Sequence, residues 1–209
     1  MIDKGRIYSL TSNFPNLQGF KTIPVGFLLM FVVVWANNNT YSSQTGQGSD
    51  LTLPLLLIPA MAVFYWFVDQ YYKLAYGSVK QTVKKKRQEF FLSSAAALLA
   101  LGAFILDTRE QIPFSLLGLI WAAMLLITGW RTARALPERG FPFFWLLAAV
   151  MFVISLLPVF GLAGWWLSVG FRSQLLAVLF VAAILIIVNG VAWHYVLTRG
   201  LKIGERIDG

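Results

Sequence analysis

The 209-residue chain contains no cysteine and a single histidine, His194. Without cysteine it can form no disulfide, no thiolate metal site, no iron–sulfur cluster and no cysteine nucleophile. One histidine per chain also excludes a bis-histidine haem and a multi-histidine zinc site within a single copy. The sequence therefore predicts neither a metal nor a cofactor.

Charged residues are scarce as well. Asp, Glu, Lys and Arg make up 12% of the chain, whereas 58% of its residues are hydrophobic. The mean hydropathy of +0.69 is far above that of a soluble domain of this size, because so few charges cannot cover the surface of a globule. This composition excludes a soluble enzyme, a disordered protein and a secreted disulfide scaffold, and it predicts an integral membrane protein.

Familiar catalytic motifs are missing too. The sequence has no glycine-rich phosphate loop followed by lysine, no His-Glu-x-x-His pair, no glycine-flanked serine elbow and no paired carboxylates within an apolar run. We therefore predict a protein that is not an enzyme. The alternative, an enzyme acting on a lipid or isoprenoid, would need Asp69 and His194 within hydrogen-bond reach of each other.

Long apolar stretches divide the chain into six predicted membrane spans. A helix needs about 20 apolar residues to cross the hydrocarbon core, and these runs are continuous rather than alternating, which favours helices over a barrel. The predicted fold is all-α: a polytopic membrane protein in which residues 1–209 form one transmembrane helical domain with no soluble domain. The spans are approximately 21–37, 51–70, 90–106, 112–130, 141–159 and 174–196.

Proline placement agrees with these spans. A proline in the first turn of a helix removes no helical hydrogen bond, and four prolines are predicted there: Pro24, Pro54, Pro113 and Pro142. Residues 141–171 are uncharged, which is too long for one straight span. We therefore predict that span five ends near Val159 and that a turn follows within residues 158–164.

Lysine and arginine are unevenly shared between the predicted loops. The N-terminal segment, loops two and four and the C-terminal tail contain 15 of the 17 basic residues, and the other loops contain only Arg109 and Arg172. Because cytoplasmic loops retain Lys and Arg, this asymmetry predicts that both termini are cytoplasmic, in the cell (inner) membrane. These loops also explain the formal net charge of +8, so no nucleic-acid partner is predicted.

The densest charge in the chain follows span two, where five of the eight residues from 80 to 87 are basic. Together with two arginines of loop four they form what we call the basic face: Lys80, Lys84, Lys85, Lys86, Arg87, Arg131 and Arg134. Such clusters attract anionic headgroups by about 1 kcal/mol per basic residue. One interpretation is that the cluster only fixes the topology. The other is that it contacts anionic lipid or a protein partner.

Among the polar residues within or at the edge of the predicted spans, three are candidates for a function: Asp69, Asn189 and His194. Asp69 and His194 are both predicted at the cytoplasmic boundary, where they could meet across a polar inner vestibule between spans two and six. The alternative is structural. In that interpretation Asp69 pairs with Lys73 one turn further on, His194 belongs to an interfacial aromatic belt, and Asn189 makes a helix–helix hydrogen bond.

Small residues share one face of span four. Their spacings of 3, 4 and 7 residues place them in line and allow another backbone to come close; they are Ser115, Gly118, Ala122 and Gly129. Span three is also rich in small residues, so we predict a tightly packed hairpin of spans three and four. Two partners for the small-residue face stay open, the same chain and a second copy in a homo-oligomer.

Two functional hypotheses follow from these patterns. The first is a non-catalytic subunit or regulator of a membrane complex, which acts through the basic face on anionic lipid or a partner. The alternative is a small channel or transporter for an ion or small solute, with Asp69, Asn189 and His194 lining the inner vestibule.

Overall fold

The computed structural model describes residues 18–44, 52–76, 83–109, 112–135, 142–162 and 164–205. All regular secondary structure within these ranges is helical, which confirms the predicted all-α class. The described α-helices are α1 (Ile23–Gln44), α2 (Thr52–Tyr76), α3 (Val83–Asp107), α4 (Leu116–Ala135), α5 (Pro142–Leu156), α6 (Trp165–Ser168) and α7 (Gln174–Glu205). Short 3-10 helices precede α1, at Gly19–Lys21, and follow α5, at Leu157–Phe160.

Four helical stretches in the described ranges are long and apolar enough to cross a membrane: Gly19–Asn38, Lys86–Asp107, Phe143–Phe160 and Gln174–Tyr195. They coincide with predicted spans one, three, five and six, and they indicate a membrane protein of the α-helical class. The 25-residue helix α2 includes predicted span two from Thr52 onward; residue 51 lies outside the described residues. The apolar part of α4, Leu116–Trp130, is shorter than the four stretches.

Several helices extend beyond the predicted spans. Helix α1 continues to Gln44, seven residues past the predicted end, because no proline or glycine lies between that end and Gly46 and an established helix propagates readily. Helix α3 begins at Val83, so it includes the basic residues at positions 84–87. Helix α7 continues to Glu205.

Helix α4 begins three residues after Pro113, so the prediction that Pro113 lies in its first turn is wrong. Its start is fixed by two side chains. The Asp107 carboxylate accepts the N–H groups of Leu116 and Leu117 at 2.9 and 3.1 Å, and the Ser115 hydroxyl accepts that of Gly118 at 3.1 Å. A carboxylate is favourable here because the first N–H groups of a helix lack partners and carry positive partial charge.

The uncharged stretch 141–171 is broken as predicted. Helix α5 ends at Leu156, and the 3-10 helix that follows contains Pro158. Gly161 and Gly164 then adopt φ angles of 82° and 80°, a left-handed conformation that glycine adopts without a steric penalty. The chain therefore turns at Gly161 and at Gly164, before the short helix α6.

The described residues fall into two compact units. The first contains those up to Tyr76 and those from Ala183 onward, and the second contains those from Val83 to Ala182. Val33, Tyr72 and Trp193 are buried in the first unit.

In the second unit the small-residue face is buried, and α4 packs more extensively with α5 than with α3. A Cβ on Gly118 would overlap Ser155, and one on Gly129 would lie 2.8 Å from the Cβ of Phe144. The partner of this face in the structure is therefore α5 of the same chain. The predicted tight hairpin would pack these small residues against α3, but Gly118 and Gly129 pack against α5.

Candidate functional site

Asp69, near the end of α2, is held between two lysines. Its Oδ1 accepts a hydrogen bond from Lys21 Nζ, and its Oδ2 accepts one from Lys73 Nζ at 2.6 Å. The pair with Lys73 has the i, i+4 spacing on which the structural interpretation rested. Lys21 comes from the 3-10 helix before α1, 48 residues away in sequence, and sequence reasoning had counted it only as a topological charge.

Tyr72 joins three elements in the first unit. Its side chain is fully buried, its Oη lies 2.9 Å from His194 Nδ1 on α7, and the same oxygen accepts the backbone N–H of Phe20 at 3.1 Å. The Phe20 ring stacks on the His194 ring, with centroids 3.6 Å apart and planes 18° apart. His194 is therefore packed between aromatic rings and connects α7 to α2 and to the 3-10 helix.

Asp69 and His194 lie near the same end of the first unit but bind different partners. Asp69 binds the two lysines, whereas His194 binds Tyr72, three residues beyond Asp69 on α2. The enzyme hypothesis required these two side chains within hydrogen-bond reach of each other, and the bonds that they form in the described part of the chain go to other residues.

Gly190 allows the backbones of α7 and the 3-10 helix to come close. A Cβ on Gly190 would lie 2.7 Å from both the carbonyl oxygen of Gly19 and the Oγ1 of Thr22. The neighbouring Asn189 has its Oδ1 buried, and this oxygen lacks a hydrogen-bond partner within the described part of the chain. The backbone of α7 therefore comes close to the 3-10 helix at Gly190, as glycine allows. Asn189 Oδ1, however, does not take part in the expected helix–helix hydrogen bond.

An apolar groove of about 440 Å³ lies beside this cluster, and sequence reasoning missed it. Its lining comes from the 3-10 helix Gly19–Lys21, the first residue of α1 and one face of α2: Phe20, Ile23, Phe64, Phe67, Val68 and Tyr71. The α2 residues are spaced by three and four positions, so they share one face of the helix. The same spacing is typical of any helix face that packs against a neighbour, so the sequence alone could not distinguish this groove from an ordinary packing face.

The basic face is divided between two helix ends of the second unit and a segment outside the described residues. Positions 84–87 lie in the first turns of α3, positions 131 and 134 lie near the end of α4, and Lys80 lies outside the described residues. Lys86 and Arg87 are exposed, and the Arg87 guanidinium lies 5.6 Å from the Phe91 ring centroid. Because α3 ends where α4 begins and the two helices pack together, these basic turns lie at the same end of the pair.

A second polar cluster ties the opposite end of that pair to α5 and α7. Ser115 donates its hydroxyl to Asp107 at 2.6 Å and its backbone N–H to the Ser155 carbonyl at 3.1 Å. The Gln174 side chain donates to the same carbonyl at 3.4 Å. Since each bond satisfies a helix end or a backbone carbonyl, the chemistry of this cluster is structural.

Comparison of the chain with protein-family models, with curated proteins and with solved structures finds no match.

Proposed function

We propose that this chain is a six-span protein of the cell (inner) membrane, a single transmembrane domain with both termini in the cytoplasm. It acts without catalysis, as a subunit or regulator of a membrane complex, through contacts of its basic face with anionic lipid or a partner. Four helices long enough to cross a membrane support the membrane assignment. The uneven distribution of 17 basic residues supports the orientation.

The observation that carries this proposal is the continuity of α3. One helix contains both the basic positions 84–87 and the apolar residues that follow from Phe90. At ~1.5 Å per residue, the basic residues lie only about one helical turn from the apolar segment. If that segment crosses the membrane, the basic residues lie at the level of the lipid headgroups. Only 6% of an 18-residue window of the segment Lys86–Asp107 is buried, so most of this part of α3 is exposed to lipid or a partner.

The test replaces Lys84, Lys85 and Lys86 with Gln. At about 1 kcal/mol per basic residue, the variant should retain anionic lipid, or a partner held by the same charges, up to about a hundredfold more weakly than the parent. Retention of phosphatidylglycerol and of co-purifying proteins in mild detergent measures the effect. Unchanged retention of both would overturn the proposal.

The matched control replaces Arg199, Lys202 and Arg206 with Gln. It removes the same charge from the C-terminal tail, on the side of the membrane proposed for the basic face. A much smaller loss than in the Lys84–Lys86 variant is expected. An equal loss would mean that total charge, and not the position of the basic turn on α3, determines retention.

One observation favours the transport alternative, the buried oxygen of Asn189 that has no partner among the described residues. A transported cation or a water molecule would use such an acceptor. Under this alternative Asn189→Leu lowers ion flux in reconstituted vesicles, and Asp69→Asn alters the dependence of that flux on pH. If the oxygen is only an unsatisfied polar atom, Asn189→Leu leaves flux unchanged and raises thermal stability.

A further inference from the structure

We propose that the apolar groove on α2 binds one acyl chain of an anionic phospholipid, whose phosphate lies beside Lys21 and Lys73. This inference rests on the proposed cytoplasmic position of the end of α2, and it goes beyond the proposed function by assigning a defined lipid site outside the basic face.

The chemistry of the lining selects an acyl chain. Four of its six residues are aromatic and the other two are aliphatic. The volume of about 440 Å³ is within the range of small-molecule pockets, roughly 300–1,000 Å³, and among the lining side chains only Tyr71 has a polar group, its hydroxyl. Phe64, Phe67 and Tyr71 are 45%, 59% and 45% exposed, so the groove opens on the outer side of a helix that is proposed to face lipid.

The charges beside the groove select the headgroup. Lys21 follows the lining residue Phe20, and Asp69 follows the lining residue Val68. Two lysines on one carboxylate leave a net charge of +1, which matches one phosphodiester. Lys73 is the more available cation, because its side chain is 53% exposed and its ammonium has three donors, of which Asp69 takes one.

The positions along α2 fit a lipid that lies along the helix. The lining residues extend from Phe64 to Tyr71, about 10 Å at 1.5 Å per residue. Lys73 lies two residues beyond Tyr71, on the side proposed to be cytoplasmic. A chain in the groove would therefore run toward Phe64, into the membrane, while its phosphate stayed at the level of the lysines.

The experiment uses the full chain in phosphatidylcholine vesicles that contain a trace of phosphatidylglycerol with a photoactivatable group in its acyl chain. Cross-linked residues are identified by peptide mass spectrometry. We expect labelling concentrated on the groove residues of α2, and about fivefold less with the phosphatidylcholine form of the probe, since one net charge corresponds to about 1 kcal/mol. Lys73→Gln should remove this fivefold preference.

A pair of identical substitutions supplies the control. Val68→Phe enlarges a lining side chain, narrows the groove and should lower its labelling. Val63→Phe, at a position on the same helix that is 53% exposed and outside the lining, should leave it unchanged. If Val68→Phe fails to fold, Phe67→Ala removes an exposed wall of the groove and should lower the labelling instead.

Three results would overturn the inference: equal labelling by the two probes, equal labelling of the groove and of Val63, or no effect of groove substitutions that fold. The outcome is separable from that of the proposed function. Replacement of Lys84, Lys85 and Lys86 should lower retention of phosphatidylglycerol or of the partner in detergent without changing the ratio of groove labelling between the two probes. If only the groove experiment failed, the lipid site on α2 would be wrong and the proposed role of the basic face would be unaffected.

Discussion

At the scale of single residues, glycine decides how closely the first 3-10 helix approaches α7. In Gly190→Ala the new methyl group would meet the Gly19 carbonyl and the Thr22 hydroxyl at 2.7 Å, and the backbone atom cannot move aside by itself. Overpacking of this kind costs about 1–3 kcal/mol. We expect a lower midpoint of thermal unfolding in detergent, measured by the loss of the helical circular dichroism signal.

Gly102→Ala is the matched control for that substitution. Position 102 is also helical, and a Cβ there meets nothing within 4 Å among the described residues. Alanine favours a helix over glycine by about 1 kcal/mol, so this variant should be as stable as the parent or slightly more stable. A fall in stability equal to that of Gly190→Ala would contradict the close approach.

The Asp69 cluster gives a graded prediction. Lys73→Gln should lower the free energy of unfolding by only about 0.2–0.5 kcal/mol, because an exposed i, i+4 pair is weak. Asp69→Asn should cost about 1–2 kcal/mol, since it leaves Lys21 and Lys73 close together without their counter-charge. A double-mutant cycle with Lys21→Gln measures the long-range coupling; additive effects would show that Lys21 and Asp69 do not interact.

These residues also show what the sequence could predict. The Asp69–Lys73 spacing is local, so the helical period was enough to favour a pair. Lys21 and Tyr72 could not be assigned their partners, because those contacts join residues 48 and 122 positions apart. In the sequence, Tyr72 could not be distinguished from other aromatic residues at the membrane interface. Its hydroxyl finds His194 as a partner only because α7 packs beside α2.

At the scale of elements, the positions of the apolar segments were predictable and most helix ends were not. Hydropathy places the segments, but it contains no signal for a polar continuation such as that of α1 to Gln44. The start of α4 likewise depends on Asp107, which belongs to the preceding helix. The turn after α5 was the exception, because Pro158 and the glycines that follow are local signals.

The α3–α4 connection can be tested by removing the cap. Asp107→Ala deletes the acceptor of two α4 backbone N–H groups and of the Ser115 hydroxyl, and it should lower the free energy of unfolding by about 1–3 kcal/mol. The control is Thr108→Ala, because that exposed hydroxyl bonds only to the carbonyl of Ile105 within the end of α3. Similar losses in both variants would rule out a special role for the carboxylate.

At the scale of the whole molecule, the decisive question is whether α2 and α4 cross the membrane along with the four apolar stretches. The absence of native cysteine makes this measurable, since each introduced thiol is the only one in the chain. If all six segments cross, Thr82→Cys and Ala135→Cys react with an impermeant maleimide only from the cytoplasm. Ser43→Cys and Ser168→Cys then react only from the opposite side, and the unsubstituted chain gives no signal.

The four thiols together separate the alternatives when the N-terminus is cytoplasmic. If neither α2 nor α4 crosses, only Thr82→Cys changes sides. If α2 crosses and α4 does not, Ala135→Cys and Ser168→Cys exchange sides while Thr82→Cys stays cytoplasmic. A non-crossing α2 would place Lys80 and the adjacent basic turn of α3 outside, against the retention of cations on the cytoplasmic side. We therefore expect the six-span pattern, and external labelling of Thr82→Cys would overturn both the topology and the lipid contacts proposed for the basic face.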